Sequence, residues 1–128
     1  MIYVVDTHIF VWFLDDNKRL RPKHKKILLN QKNTFIFSAI VLAEIKYLIS
    51  AKRININFST VLEYLSDCGN CIIYPVDETV IDNMPKGLNI HDSLIVATGL
   101  IYKNSFAKEV FILTEDDDIK TADILPIA

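Results

Sequence analysis

Glycine is scarce in this chain of 128 residues, with three glycines at scattered positions. No glycine-rich turn follows the first apolar segment, as a dinucleotide-binding site requires for close approach of the backbone to the pyrophosphate. An excess of positive charge is also absent, because the formal net charge is −2. This argues against a protein that binds nucleic acid through net charge alone, but not against an acidic site that works with a bound cation.

Cysteine is equally rare, and its two copies, Cys68 and Cys71, form a single C-x-x-C. No second pair of Cys or His residues lies at zinc spacing, which argues against a structural zinc site. A thioredoxin-like redox motif follows a strand and leads into a helix, whereas here a helical stretch precedes the motif and a strand follows it. We therefore predict that both cysteines are ordinary packing or loop residues.

Long apolar runs are missing as well. The longest stretch without charge, residues 33–43, is far shorter than the about 20 residues that a membrane span needs, and no leader pattern follows Met1. We expect one cytoplasmic domain over residues 1–128, with no membrane association. Apolar residues nevertheless make up 51% of the chain. This surplus predicts an apolar surface that joins two copies into a homodimer or receives a partner.

Four short apolar segments, residues 2–5, 34–38, 71–74 and 110–113, alternate with helical stretches. They are rich in β-branched and aromatic residues and show no polar alternation, which is typical of parallel strands buried on both faces. Residues 124–127 are expected to add a short edge strand. The pattern predicts an α/β fold: a three-layer α/β/α sandwich with a mainly parallel sheet of four to five strands.

Acidic residues stand at strand ends and at one helix start. Asp6 follows the first strand, Asp116 follows the fourth, and Asp92 lies in the first turn of a predicted helix. Because parallel strands bring their carboxyl ends to one edge of the sheet, we expect these acids to converge there. Each also has a simpler explanation, since Asp6 or Thr7 can cap a helix and the helix dipole favours an acid such as Asp92.

A fourth acid, Glu44, belongs to the apolar helical stretch 39–51, whose only other charge is Lys46. At 100° per residue the two side chains point about 200° apart. Since Lys46 shares its side with polar residues, Glu44 is predicted to face the apolar side. The alternatives are a partly exposed acid on the flank of the helix and an acid paired with Tyr47. A carboxylate on the apolar side is costly unless it is bonded or close to a cation, and clustered carboxylates suit Mg²⁺ or Mn²⁺.

Basic residues are concentrated between positions 18 and 26, which hold six of the 14 in the chain. A solvated helix face is the usual meaning of such a cluster, and contact with phosphate or a partner is the alternative. The residues that would make RNA or partner contacts are Lys18, Arg19, Arg21 and Lys23.

Four motifs together resemble the PIN-domain family, and within it the VapC-like toxin ribonucleases, over the whole chain. They are V-D-T-H at 5–8 with the following Trp12, S-A at 38–39 leading to A-E-I at 43–45, H-D-S-L-I-V-A at 91–97, and L-T-E-D-D-D at 113–118. The resemblance implies a catalytic set of Asp6, Glu44, Asp92 and Asp116. It implies metal ligation by Asp6, Asp92, Asp116 and the accessory acid Asp118, with Thr7 and Thr114 as supporting hydrogen-bonding residues.

The same resemblance implies a Mg²⁺- or Mn²⁺-dependent endoribonuclease that hydrolyses RNA phosphodiester bonds and is inhibited by a cognate antitoxin, for which the apolar helices at 8–14 and 39–51 offer docking surfaces. Two departures stand out: many relatives carry an acid in place of Asn89 and an arginine in place of Ser93. They predict a weaker metal site or a single ion. The alternatives are a PIN-like nuclease that acts in RNA processing or on DNA without an antitoxin, and a non-catalytic α/β binding module.

Overall fold

The computed structural model describes residues 1–128 and consists of four strands and seven helices. The strands are β1 (Ile2–Val5), β2 (Thr34–Ser38), β3 (Cys71–Tyr74) and β4 (Val110–Leu113). The helices are α1 (Thr7–Leu14), α2 (Pro22–Leu29), α3 (Ala39–Ser50), α4 (Phe58–Asp67), α5 (Glu78–Asp82), α6 (Ile90–Ser105) and α7 (Asp117–Ala122). None of the helices has the length and apolar character needed to cross a membrane.

The strands form one sheet in the order β3-β2-β1-β4, and every neighbouring pair is parallel. This confirms the predicted α/β fold with helices flanking a parallel sheet. Val5 at the end of β1 pairs with Leu113 at the end of β4, and the next amide, Asp6 N, donates to Leu113 O at 3.0 Å. The residues that follow β1 and β4 are therefore neighbours at the carboxyl edge of the sheet.

The expected fifth strand is reduced to a single bridge between Ile112 and Ile127. Ile112 N donates to Pro126 O at 2.9 Å, and Ala128 N donates to Ile112 O at 3.0 Å. Pro126 has no N–H to donate, so the ladder cannot extend through it. The short helix α7, which comes directly after the acidic run, was not predicted from the sequence.

The core lies between the sheet and its helices, with rings in close contact such as Phe10 and Phe37, whose centroids are 4.5 Å apart. Helix α6 crosses the sheet and contacts β1, β2 and β4. Its Gly99 permits this approach: a Cβ there would lie 2.5 Å from Leu125 Cδ1 and 3.1 Å from Val4 Cγ2. Asp92 lies in the first turn of α6, so the packing of α6 against the sheet fixes where that acid lies.

The prediction that the cysteines are ordinary packing or loop residues is wrong, because Cys68 and Cys71 are joined in a disulfide. A tight turn brings them together, with Cys71 N donating to Cys68 O at 3.4 Å and a Cα–Cα distance of 5.5 Å. That separation lies within the range that a disulfide spans. The bond connects the end of α4 to the start of β3, at the opposite edge of the sheet from the acids.

Candidate active site

Asp6 is held at the junction of β1 and α1 by two hydrogen bonds. Its Oδ1 accepts from Thr7 N at 2.7 Å and its Oδ2 accepts from Thr114 Oγ1 at 2.6 Å. Asp6 also occupies the N-cap position of α1, so the capping role that the sequence allowed is present as well. Burial raises the pKa of this carboxyl, while the hydrogen bonds from Thr114 and Thr7 lower it. The position of Asp6 is thus fixed at both oxygens.

Glu44 reaches the same place from α3. Its Oε1 accepts a hydrogen bond from Thr7 Oγ1 at 3.0 Å, and its side chain is 21% exposed. Burial raises the pKa of Glu44, and the bond from Thr7 opposes that shift. Tyr47, the alternative partner considered from the sequence, points to solvent and forms no hydrogen bond with Glu44. Glu44 therefore lies inward and is hydrogen-bonded.

Asp92 is positioned by Asn89 at the start of α6. Asn89 Oδ1 accepts from Asp92 N at 2.8 Å, which leaves Asn89 Nδ2 to donate to Asp92 Oδ2 at 2.8 Å. An acid at position 89 could not make this second bond, so the departure from the family pattern supplies a donor to Asp92. Ser93 is buried and donates to Pro85 O at 3.0 Å, which anchors the loop before α6.

Asp116 caps α7, with its Oδ1 accepting from Ile119 N at 3.0 Å. Its own amide donates to Thr114 Oγ1 at 2.9 Å, and the same hydroxyl donates to Asp6. Thr114 is completely buried. A single hydroxyl thus fixes the relative positions of the acids that follow β1 and β4.

The four carboxylates influence one another electrostatically. Burial, together with the charges of Asp116, Asp6 and Glu44, raises the pKa of Asp92 to about 6, although the hydrogen bond from Asn89 opposes the shift. The charge of Asp116 also raises the pKa of Asp6, and the charge of Asp6 raises that of Glu44. No lysine or arginine forms an ion pair with any of them. His91 Nδ1 lies 3.7 Å from Glu44 Oε2, and the charges of His91 and His8 lower the pKa of Glu44. The fold therefore gathers four acids with no lysine or arginine partner, and only histidines offset part of their repulsion.

These carboxylates fit a divalent cation in donor type and in charge, since oxygen ligands with excess negative charge are what Mg²⁺ and Mn²⁺ prefer. The free oxygens include Asp92 Oδ1 and Asp116 Oδ2, which accept no hydrogen bond from the protein. No three acidic, His or Cys side chains form a ready cage around one point. The site has the right donors for the cation without a closed coordination shell.

The remaining predicted residues lie outside this cluster. Asp118 is exposed in the first turn of α7 and makes no hydrogen bond or ion pair. Lys18, Arg19 and Lys23 are exposed, and no ion pair joins them to the four acids. Arg21 is also exposed, but its Nε lies 3.0 Å from Glu115 Oε1. Of these four basic residues only Arg21 forms an ion pair, and its partner Glu115 is not one of the four acids.

Sequence reasoning noted Asn89 only as a departure from the family pattern and not as the residue that positions Asp92, and it missed Glu115. The signal for Asn89 was present, since Asn three residues before an acid at a helix start is an N-cap pattern with reciprocal bonding. Glu115 gave no such signal, because its partners Arg21 and His24 are distant in the sequence. Its location became evident only from the packing of α2 against the end of β4.

The parallel sheet with acids at its carboxyl edge defines a class of α/β domains in which chemistry occurs beyond the strand ends. The sequence model of the PIN domain matches residues 3–125. The chain therefore belongs to the PIN domain family, whose members are generally nucleases that use divalent metals.

Comparison with solved structures supports the same fold. A chain in the crystal structure of VapBC2 from Rickettsia felis bound to a DNA fragment from their promoter superimposes with a TM-score of 0.68 and 21% identity, covering 100% of this chain and 98% of that one. A chain of FitAcB from Neisseria gonorrhoeae gives a TM-score of 0.58 and 21% identity, with coverage of 100% and 97%. No curated protein matches the chain.

Proposed function

We propose that this protein is a Mg²⁺- or Mn²⁺-dependent endoribonuclease that hydrolyses RNA phosphodiester bonds at the four-acid site. The observation that carries this proposal is the mutual repulsion of Asp6, Glu44, Asp92 and Asp116, which no lysine or arginine relieves. Such an arrangement costs folding free energy and is expected where a cation is part of the working state.

Asp6, Asp92 and Asp116 are the residues that would hold the cation, with Asp118, which is exposed in the first turn of α7, as the accessory acid. When bound, the cation acidifies the attacking water and offsets the negative charge that develops on the phosphate. Thr7 and Thr114 orient Asp6 and Glu44 through the hydrogen bonds described above. Glu44 keeps its Oε2 free of hydrogen bonds, so this oxygen is available to align the water for in-line attack.

The decisive experiment compares RNA fragments from cells that express the wild type or Asp6→Asn, by sequencing their ends. Wild type is expected to give discrete new 5′ ends, and Asp6→Asn none, although both proteins fold. Asp82→Asn is the matched control, because Asp82 is exposed on α5 and makes no hydrogen bond or ion pair. Full Mg²⁺-dependent cleavage by a folded Asp6→Asn protein would exclude this mechanism.

The proposed biological role is that of a toxin acting on cytoplasmic RNA and inhibited by a cognate antitoxin. The supporting observation is the fold shared with chains of VapBC2 and FitAcB. Expression of the wild type alone should arrest growth, and co-expression of the neighbouring gene product should restore it. Growth arrest that is equally strong with Asp6→Asn would speak against nuclease toxicity.

A homodimer is proposed from the exposed apolar side chains. Ile72 and Ile73 on the edge strand β3 are 38% and 45% exposed, and Ile81 and Ile90 are 53% and 65% exposed. Apolar surface of this extent favours self-association. Light scattering is expected to give the mass of two chains, and a monomer at high concentration would refute the dimer.

A further inference from the structure

Exposed rings flank the four acids on the outer side of α1. His8, two residues after Asp6, is exposed, and Trp12 is partly exposed one turn further along the helix. Their ring centroids are 6.0 Å apart, with planes inclined at 52°. The inward side of α1 is formed by other residues, Ile9 and Phe10 among them, which are buried. His8 is therefore a surface residue, while Trp12 packs partly against the core and keeps part of its ring exposed beside His8.

The His8 end of this ring pair is close to the acids, because Asp6 is the N-cap of α1 and His8 is the second residue of that helix. The charge of His8 lowers the pKa of both Asp6 and Glu44, so the imidazole lies within electrostatic reach of the two carboxylates. In the proposed reaction the scissile phosphate binds at these acids, and each flanking base is only one sugar away from it. A strand that runs over the start of α1 would bring one flanking base onto His8 and Trp12.

We infer that His8 and Trp12 form a nucleobase subsite, on which an unpaired base next to the scissile phosphate stacks. The inference rests on the proposed function, which provides the phosphate position. Imidazole and indole rings are the side chains on which unstacked bases bind, and such stacking tolerates any base. A paired base has its faces covered by neighbours, so the subsite would accept only a base outside a helix.

Trp12 gives this inference a direct probe, because it is the only tryptophan in the chain. We expect its fluorescence to be quenched saturably when a short oligouridine is added to the Asp6→Asn protein or to the wild type in EDTA. Inorganic polyphosphate, which offers the charge without the bases, should leave the fluorescence unchanged. Equal quenching by polyphosphate, or no quenching by oligouridine in either protein, would overturn the subsite.

Cleavage kinetics provide the second test. Trp12→Leu should raise the KM for a single-stranded RNA about 10-fold with little change in kcat, and Trp12→Phe should recover most of the loss because it restores a ring. Phe106→Leu is the matched control, since Phe106 is 52% exposed beyond the end of α6. His8→Ala provides an exposed substitution that leaves the core contacts of Trp12 intact, and a smaller rise in KM is expected.

The two hypotheses fail in different ways. If the wild type cleaves RNA and both Trp12→Leu and His8→Ala keep the wild-type KM, the subsite is wrong and the nuclease proposal stands. If the wild type cleaves no RNA, the nuclease proposal fails, while the fluorescence titration still decides whether bases stack on Trp12. A Trp12→Leu protein with wild-type KM that loses only its binding to a protein partner would assign this face to that partner and overturn the subsite.

Discussion

Two consecutive acids, Glu115 and Asp116, have opposite electrostatic surroundings. Glu115 lies beside two cations, with Arg21 Nε at 3.0 Å and Lys120 Nζ at 3.5 Å, and beside the His24 ring at 3.7 Å. Asp116 forms no ion pair and instead adds to the negative charge around Asp6 and Asp92. The fold thus supplies counter-charges to one acid and withholds them from the next.

The groups around Glu115 attract its negative charge but leave some hydrogen-bonding atoms without a partner. Arg21 Nε is close to Glu115 Oε1 without the alignment of a hydrogen bond, and both that oxygen and His24 Nδ1 are buried without a hydrogen-bond partner. His24 is tied to the C-terminal residue, since its Nε2 lies 3.0 Å from Ala128 O. Arg21 and His24 therefore connect α2 with the β4–α7 loop and with Ala128, which is a structural role. Cationic side chains thus balance the charge of Glu115, which has a structural role. The four acids of the site have no lysine or arginine partner and can bind a metal cation instead.

The largest expected effect is on RNA cleavage, and it is found by comparing one substitution in each of the two regions. Asp92→Asn should lower the rate of RNA cleavage roughly 1000-fold, because it removes a charge that acts on the transition state. Glu115→Gln should stay within about fivefold of the wild type, because a partly exposed ion pair contributes little. Initial rates with one RNA and a fixed Mg²⁺ concentration provide the measurement. Equal losses in the two variants would show that the contrast between the regions has no functional meaning.

A smaller loss of activity is expected when the Thr114 hydroxyl, which joins the acids that follow β1 and β4, is removed. Thr114→Val keeps the shape of the side chain but removes the bond to Asp6, and cleavage should fall about 10- to 100-fold, as for other residues that orient metal ligands. Thr98→Val is the control, because Thr98 is also buried but bonds only to Leu94 O within α6. Should Thr98→Val lose as much activity as Thr114→Val, the effect would be one of packing.

The four acids should also affect stability without metal. Because burial and the neighbouring acids raise the pKa of Asp92 from 3.8 to about 6, the stability that this carboxyl contributes is complete below pH 3.8 and is lost as the pH rises through 6. Asp92→Asn should therefore increase the free energy of unfolding by about 1 to 2 kcal/mol at pH 7.5 in EDTA, since one pKa unit corresponds to about 1.4 kcal/mol and water screens part of the shift.

Urea unfolding at pH 7.5 and near pH 4, with Asp82→Asn as the control, provides the test. The gain in the Asp92→Asn protein should shrink at the lower pH, where the wild-type carboxyl is largely protonated. Added Mg²⁺ or Mn²⁺ should stabilise the wild type more than the variant, because only the wild type keeps the complete acid set. A gain that is independent of pH would trace to a change in packing.

The smallest expected effect is on the pH dependence of stability. It concerns His24, whose contribution is lost as the pH falls, whereas that of Asp92 is lost as the pH rises. Burial lowers the pKa of His24 below 6.5, although the Ala128 carbonyl opposes the shift. The stability that His24 contributes is therefore complete above pH 6.5 and is lost as the pH falls through its folded pKa. The test uses a protein that also carries Asp92→Asn. Its free energy of unfolding should fall between pH 7 and pH 5, and His24→Gln should make that fall smaller by less than about 1 kcal/mol. An unchanged slope would mean that His24 does not titrate in this range.

The sequence predicted the sheet well because its strands are continuous apolar runs with clear ends. Asp6 could be assigned to the carboxyl edge because a charge follows four apolar residues directly, and the inward direction of Glu44 followed from helical spacing against Lys46. The edge strand at 124–127 was overestimated, since apolar character favoured a strand but Pro126 removed a donor. Helix α7 was missed because its acidic first turn resembles a loop in composition.

Other features depend on contacts between distant residues, which periodicity does not encode. The bonds of Thr7 to Glu44 and of Thr114 to Asp6 follow from the order of the strands, and that order is a property of the whole sheet. The disulfide required the actual turn between Cys68 and Cys71. The density of basic residues at 18–26 indicated a solvated helix face or a phosphate or partner contact, and it did not show the ion pair of Arg21 with Glu115, which is distant in the sequence.

The hydrogen bond from Thr114 to Asp6 joins residues that are 108 positions apart. A ribosome therefore makes the acid 108 residues before the hydroxyl that holds it. Until β4 is synthesised and pairs with β1, Asp6 has neither this bond nor Asp116 beside it. A fragment that ends before β4 would therefore contain most of these 128 residues and still lack the complete four-acid site.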